Sequence, residues 1–341
     1  MPGARDRAGG KGSFEPALHF RTGKEPQGEC WTKFLVTGGC GFIGSHLSRE
    51  LANLGEVTII DDLSSGGAGR VQDLLGAGKA RLIRGSILHR NLLAEACRGA
   101  DCVFHLAAIV SVPRSMADPL GVNEVNTTGT LAVLEASRQA GVKKLVFSSS
   151  SAVYGDSPGS PKTEQTPPEP LSPYAASKLA GEYFCEVYRR SFGLPTASLR
   201  YFKVYGPGQD PKGEYAAVIP RFITQVLRRS PPVIFGDGGQ VRDFVSVRDV
   251  VRANILAMQR DAVGVMNIGS GDGTTILRLA GAVMGIGGLS REPVLDKPRP
   301  GDIRESVADI SRARDIMGFR PKVHLADGLR ETMDWFRAHP A

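Results

Sequence analysis

Phe34-Leu-Val-Thr-Gly38-Gly-Cys-Gly41-Phe42-Ile43-Gly44 sets a short run of β-prone apolar residues directly against a turn dense in glycine. The turn feeds straight into Ile43 to Leu54, where apolar residues recur at helical spacing. Each glycine has a separate task in such a strand–turn–helix. Gly38 permits the tight turn, Gly41 leaves room for a pyrophosphate to approach the backbone, and Gly44 lets helix and strand pack closely. The helix N-terminus adds free N–H groups and the positive end of a dipole. Glycine-rich turns are common in loops, so the context carries the inference.

That context follows at once. Val57-Thr-Ile-Ile-Asp61 is the next predicted strand, and Asp61 ends it about twenty residues beyond the turn, where a carboxylate can hold both ribose hydroxyls of NAD and repel the 2′-phosphate of NADP. Further strands are predicted at Arg81-Leu-Ile-Arg-Gly, Asp101-Cys-Val-Phe-His-Leu, Lys144-Leu-Val-Phe-Ser and Thr196 to Phe202. Long helices are predicted over about Asn123 to Ala140 and about Pro173 to Phe192. Strands alternating with helices of this length imply right-handed βαβ units and a doubly wound parallel sheet, an α/β fold of Rossmann type.

After about Gly206 the alternation loosens, and proline and glycine cluster at 206–213, 230–239 and 297–301. The expected division is an N-terminal extension (1–32), an NAD-binding lobe (33–205) and a smaller substrate lobe (206–341). A late strand and helix are expected to return from the last to the first lobe. The cleft would then open at the carboxyl ends of the strands.

Composition narrows the classes. Of 341 residues, 41% are hydrophobic and 23% charged, ordinary values for a globular protein. The net charge of +7 is spread along the chain, with no basic stripe, so an anionic small molecule fits better than a nucleic acid. Five scattered cysteines and no clustered histidines argue against a disulfide framework and a metal site, and fit a reducing cytoplasm. No apolar run approaches the ~20 residues of a membrane span. The first thirty residues carry no secretory signal and read as disordered, or as lying upstream of the true start.

Tyr174-Ala-Ala-Ser-Lys178 puts a phenol and an ammonium on one helical face. A free tyrosine titrates near ~10, too high for a base at neutral pH. A nearby lysine and a cationic ring both favour the phenolate. Ser148 to Ser151 end the preceding strand, and one of these hydroxyls can bind a reacting oxygen and relay its proton to Tyr174.

The spacing G-x-x-G-x-x-G, with His105-Leu-Ala-Ala, Asn126 and Arg200-Tyr-Phe, resembles the extended short-chain dehydrogenases of the NAD-dependent epimerase/dehydratase family, from about Lys33 to the C-terminus. Within it the pattern is most similar to UDP-hexose 4-epimerases. The resemblance implies NAD contacts from Gly38, Gly41, Phe42, Ile43, Gly44, Asp61, Asp62, Ser86, Ile87, Leu106, Ala107, Ala108, Tyr174 and Lys178. It places the catalytic serine at Ser150, with Ser149 and Ser151 as fallbacks, beside Tyr174 and Lys178. Relatives often carry Asp where Ser86 stands, so weaker adenine anchoring is expected. Dehydratases and decarboxylases of the family carry acidic residues at or beside positions 150–152; this chain has none there. That favours oxidation and re-reduction at one carbon.

On the substrate side the resemblance implies diphosphate contacts from Arg242 and Arg299, and a hexose end lined by Ser111 and Val112. Ser150 and Tyr174 complete that end. Lys203 replaces an asparagine that contacts the sugar nucleotide, and Arg248 an acidic residue. Ser306 stands where a tyrosine restricts relatives to glucose and galactose; a serine leaves room for an N-acetyl group, or has no gating role. The implied activity is 4-epimerisation of a nucleotide sugar by a homodimer. A dehydratase, decarboxylase, reductase or non-catalytic NAD-binding regulator are the other readings.

Overall fold

The computed structural model describes residues 32–211, 217–260, 262–298 and 301–340. In chain order the strands are β1 (Lys33–Thr37), β2 (Glu56–Asp61), β3 (Ala80–Arg84), β4 (Cys102–His105), β5 (Lys144–Ser150), β6 (Thr196–Tyr201), β7 (Lys203–Tyr205), β8 (Val233–Phe235), β9 (Val241–Ser246), β10 (Gly264–Ile268), β11 (Gly273–Thr275), β12 (Val294–Asp296) and β13 (Glu305–Ser306). The helices are α1 (Phe42–Leu51), α2 (Gln72–Gly76), α3 (Arg90–Cys97), α4 (Val112–Ala117), α5 (Pro119–Asn123), α6 (Gly129–Gln139), α7 (Pro173–Phe192), α8 (Val218–Leu227), α9 (Val247–Gln259), α10 (Ile276–Gly287), α11 (Ser311–Met317) and α12 (Leu325–Ala338).

The central strands are buried on both faces, and the two-residue period of a strand sorts their side chains. Phe34 and Val36 enter the core shared with Leu47, Leu51, Val250 and Val251 of α1 and α9. Leu35, between them, joins the opposite core with Val133, Leu134 and Cys185 of α6 and α7. Ile59 and Ile60 divide the same way. The result is a seven-stranded parallel sheet ordered β10-β6-β5-β4-β1-β2-β3, helices on each face, as the sequence predicts for a Rossmann-type α/β fold. The order reverses at β1, so β1 and β4 diverge at a topological switch point. β10 comes from the C-terminal half and pairs with β6.

A second, smaller sheet centres on β9, which pairs with β7, β11 and β13. A third core, with Phe222, Ile223, Leu279, Val283, Leu329 and Met333, gathers α8, α10 and α12.

Two expectations are corrected. The helix expected over Asn123 to Ala140 is interrupted by a π-turn at Glu124–Thr128 between α5 and α6. Its Asn126 is held from both sides: Oδ1 accepts the Ile109 N–H at 2.8 Å, and Nδ2 donates to Ile109 O at 3.0 Å and Ser177 Oγ at 3.1 Å. One side chain tied to two neighbouring segments accounts for the local break in helical register. Helix α1 stops at Leu51 rather than Leu54, because the Leu54 and Gly55 N–H groups both turn back to Leu51 O. The expected tail is outside the described residues up to 31, whereas Thr32 is held by Asp101 through its N–H at 3.0 Å.

Candidate active site

The first glycine turn is shaped by close approach. Gly38 has φ +70°, donates its N–H to Ile60 O at 2.9 Å, and a Cβ there would lie 2.7 Å from Ala107 N. A Cβ on Gly44 would stand 2.1 Å from Gly38 O, so only glycine lets α1 seat against the turn. At Gly41 a Cβ would meet nothing nearer than Gly38 O at 3.2 Å. Helix α1 starts there with no capping side chain and no acidic residue in its first turn, leaving N–H groups and dipole for an anion.

Asp61 ends β2 beside this turn, accepting the Cys40 N–H at 2.9 Å and the Leu63 N–H at 2.8 Å. Burial pushes its carboxyl up, against these two hydrogen bonds. Asp62 is occupied by Ser64, whose N–H and hydroxyl it accepts at 3.0 and 2.6 Å. Ser86 Oγ accepts the Leu88 N–H at 3.2 Å. Ile87 is buried against the Gly129 backbone, and Phe42 and Ile43 are half-buried. Leu106 and Ala107 donate their N–H groups to Thr37 Oγ1 at 3.2 and 3.1 Å, which holds the 106–108 segment against Gly38.

Thr37 continues into a buried chain that composition could not reveal. Its Oγ1 is 2.8 Å from His105 Nδ1, and His105 Nε2 is 2.9 Å from Thr130 Oγ1, which donates to Asn126 O. Thr130 has thus used its proton, so Nε2 carries the imidazole hydrogen and Nδ1 accepts from Thr37. Burial and Lys178 push the ring down to about 3, so His105 is neutral.

The serine run at the end of β5 spreads its groups. Ser149 donates to Glu182, Ser148 O accepts Lys178 Nζ at 2.8 Å, and Ser150 Oγ accepts the Ala152 N–H at 3.2 Å. Ser150 also lies close enough to the Tyr174 phenol to act on its proton affinity. Tyr174 sits in the first turn of α7, which Ser172 caps by accepting the Ala175 N–H at 3.1 Å with Pro173 behind it. Lys178 lies one turn on, buried, its ammonium 5.0 Å above the Phe147 ring and pushed down by burial to about 8. Burial raises the Tyr174 phenol, and Ser150 is the group that opposes it. The direction is opposite to the acidified phenol expected from the sequence. Lys178 is turned to the Ser148 carbonyl, and in the protein alone the phenol keeps its proton.

Glu182 and Arg200, which sequence reading did not assign a role, form a buried bidentate pair at 2.8 and 2.6 Å. Arg200 lies 4.6 Å over the Tyr154 ring, and Tyr154 OH donates to Asn267 at 2.7 Å. The pair joins α7 to β6 across a separation of 18 residues, which no local spacing betrays.

Three expected substrate residues converge on β9. Arg242 is in register with Ser306 of β13, and Phe244 with Lys203 of β7. Arg242 is held by Asp302 at 2.6 Å and by its own neighbour Val241 O at 2.8 Å. Ser306 is half-buried. Ser111 caps α4 by accepting the Arg114 N–H at 3.1 Å, and Val112 is exposed. Arg299 lies outside the described residues. Arg248, unexplained by sequence, pairs with Glu331 of α12 at 3.3 Å.

Residues 34–269 match the profile of the NAD dependent epimerase/dehydratase family. The chain belongs to that family. Its members' cofactor, NAD, suits what is built here: an uncapped helix N-terminus, a turn that only glycine allows, and an acid at the end of β2. A UDP-glucose 4-epimerase from Mycolicibacterium smegmatis is 42% identical over 309 residues, covering 89% of this chain and 98% of its own length. A solved UDP-N-acetylglucosamine 4-epimerase from Methanobrevibacter ruminantium M1, in complex with UDP-N-acetylmuramic acid, is 41% identical with a TM-score of 0.87, covering 90% of this chain and 98% of that one. A UDP-N-acetyl-α-D-glucosaminuronate decarboxylase from Bacillus cytotoxicus is 36% identical, covering 89% of this chain and 97% of its own length. This family member is therefore an NAD-dependent enzyme. No described helix is long and apolar enough to cross a membrane.

Proposed function

We propose that the chain inverts C4 of a UDP-linked hexose, interconverting UDP-glucose with UDP-galactose and the corresponding N-acetylhexosamines. The observation that carries this reading is Ser150 at the end of β5 with Tyr174 in the first turn of α7 near it, and no carboxylate at positions 150–152. Dehydration needs an acid and a base there to remove water; two hydroxyls and a lysine do not provide them. Inversion needs only a proton moved from and back to the C4 oxygen while the C4 hydrogen leaves one face and returns to the other.

NAD, when bound, supplies the acceptor and donor for that hydrogen. Tyr174 Oη takes the C4-hydroxyl proton, directly or through Ser150 Oγ, once a second positive charge lowers its affinity for its own proton. Lys178 would add to that charge and hold the nicotinamide ribose. The free N–H groups of α1 would hold the pyrophosphate and Asp61 the adenosine ribose. Arg242 and Arg299 would hold the substrate diphosphate, leaving the sugar free to turn between the two half-reactions. Ser306 leaves room for an acetamide during that turn.

We also read residues 33–205 as the NAD-binding lobe and 206–341 as mainly the substrate lobe, and the protein as a homodimer. Exposed Leu120 on α5 and exposed Tyr183 and Val187 on the adjoining α7 support the dimer. The deciding assay incubates the purified chain with UDP-glucose and with UDP-N-acetylglucosamine, without added NAD, and reads products by NMR. Both 4-epimers are expected. Loss of water or carbon dioxide would overturn the reaction assigned, and turnover of UDP-glucose alone would overturn the role of Ser306.

A further inference from the structure

Among the described residues, one positive charge near Arg242 has no ion-pair partner. Lys203 is exposed at the start of β7 and pairs with no described side chain. The described carboxylate whose charge reaches it is Asp302, and that carboxylate is already taken. Its Oδ1 accepts Arg242 Nη2 at 2.6 Å and its Oδ2 accepts Gln240 Nε2 at 3.1 Å. Arg242 and Asp302 therefore cancel, and among the described residues the Lys203 ammonium has no carboxylate of its own.

Its position tells which part of a substrate meets that charge. Ser150 is in register with Tyr201, and Lys203 follows Tyr201 by two residues, at the same end of the sheet as the Ser150–Tyr174 hydroxyls. Along β9, Lys203 stands opposite Phe244, about 7 Å at the rise of a strand beyond Arg242. A molecule reaching from the reactive hydroxyls to Arg242 passes Lys203 first. In a sugar nucleotide, the segment between the reacting carbon and the diphosphate is the hexose itself. An ammonium facing a neutral hexose makes only an ordinary hydrogen bond, whereas facing a carboxylate it makes a charged one.

We propose that Lys203 is a specificity residue that extends this site beyond the neutral hexoses to nucleotide sugars bearing a carboxylate on the hexose, the hexuronates, which it holds more tightly. The proposal rests on the nucleotide-sugar reading of this cleft. Its neighbours sharpen the preference. Its side chain is open to solvent on one side, yet the protein around it and the like charge of Arg242 both disfavour the ammonium, and an anion set against it offsets them.

Calorimetric titration of the full-length, NAD-containing protein with UDP, UDP-glucose and UDP-glucuronate tests this without relying on turnover. Wild type is expected to bind UDP-glucuronate about tenfold or more tighter than UDP-glucose. In Lys203→Met, UDP-glucuronate should weaken by about 10- to 100-fold, while UDP and UDP-glucose move less than about threefold, as loss of one charge-assisted hydrogen bond requires. Lys203→Asn keeps a polar group without the charge and should behave as Lys203→Met. Equal weakening of all three ligands, UDP included, would place Lys203 on the diphosphate and overturn the proposal. So would a wild type that does not discriminate, or variants that change nothing. A chain that discriminates in this way yet forms no 4-epimer would refute the epimerase reading and leave Lys203 as assigned.

Discussion

Tyr174 and Lys178 show how little a residue's type says about its protonation until its surroundings are known. The phenol is driven up by burial and the ammonium down to about 8, so each is biased toward its neutral form. Only a further positive charge beside the phenol tips it toward phenolate. Tyr174→Phe removes the proton carrier and nothing that supports the fold. It should unfold like wild type, retain NAD, and lose about 10²- to 10⁴-fold in kcat, the usual worth of positioned acid–base help. Near-normal kcat would displace Tyr174 from its role. Lys178 has a stability consequence as well. Its folded pKa, about 8, lies below its usual 10.5, so between those values the unfolded chain holds the extra proton. The penalty, on the order of 3 kcal/mol, is full below pH 8 and fades as pH rises toward 10.5. Urea unfolding of Lys178→Met should therefore show an inactive protein more stable than wild type at pH 7, the gap closing by pH 10.5. A less stable variant would contradict this account.

At the scale of elements, the site depends on connections between segments far apart in sequence. The glycine turn, Asp61 and the Tyr174–Lys178 helix were legible because each signal is local: a glycine spacing, an acid at a strand end, an i, i+4 pair. The Asn126 π-turn was not, since its cause is a side chain bridging Ile109 and Ser177. The Glu182–Arg200 pair was equally invisible, because a glutamate on a helix and an arginine in a strand announce nothing until β6 lies against α7. Both side chains are almost wholly buried, so removing one strands the other's charge. Glu182→Ala should lose about 3–5 kcal/mol in urea unfolding. A loss under about 1 kcal/mol would mean that water replaces the carboxylate.

For the whole molecule, the proposed dimer rests on exposed Leu120 of α5 and exposed Tyr183 and Val187 of α7. A charge placed in the middle of a dimer interface is desolvated without a partner. Val187→Glu should convert a dimer to a monomer, read as a halved mass by light scattering after gel filtration. A monomeric wild type would dismiss the dimer outright.

The parallel sheet, the NAD-type turn and the spacing of Tyr174 and Lys178 are all readable from the chain alone. Periodicity and glycine spacing record backbone geometry directly, because they act within a few residues. Folding alone makes His105 neutral, sets Arg242 against Asp302 and leaves Lys203 with no ion-pair partner among the described residues. Those are properties of charges and hydrogen bonds between segments far apart in sequence. Their strength depends on distance and burial, which exist only once the chain has folded.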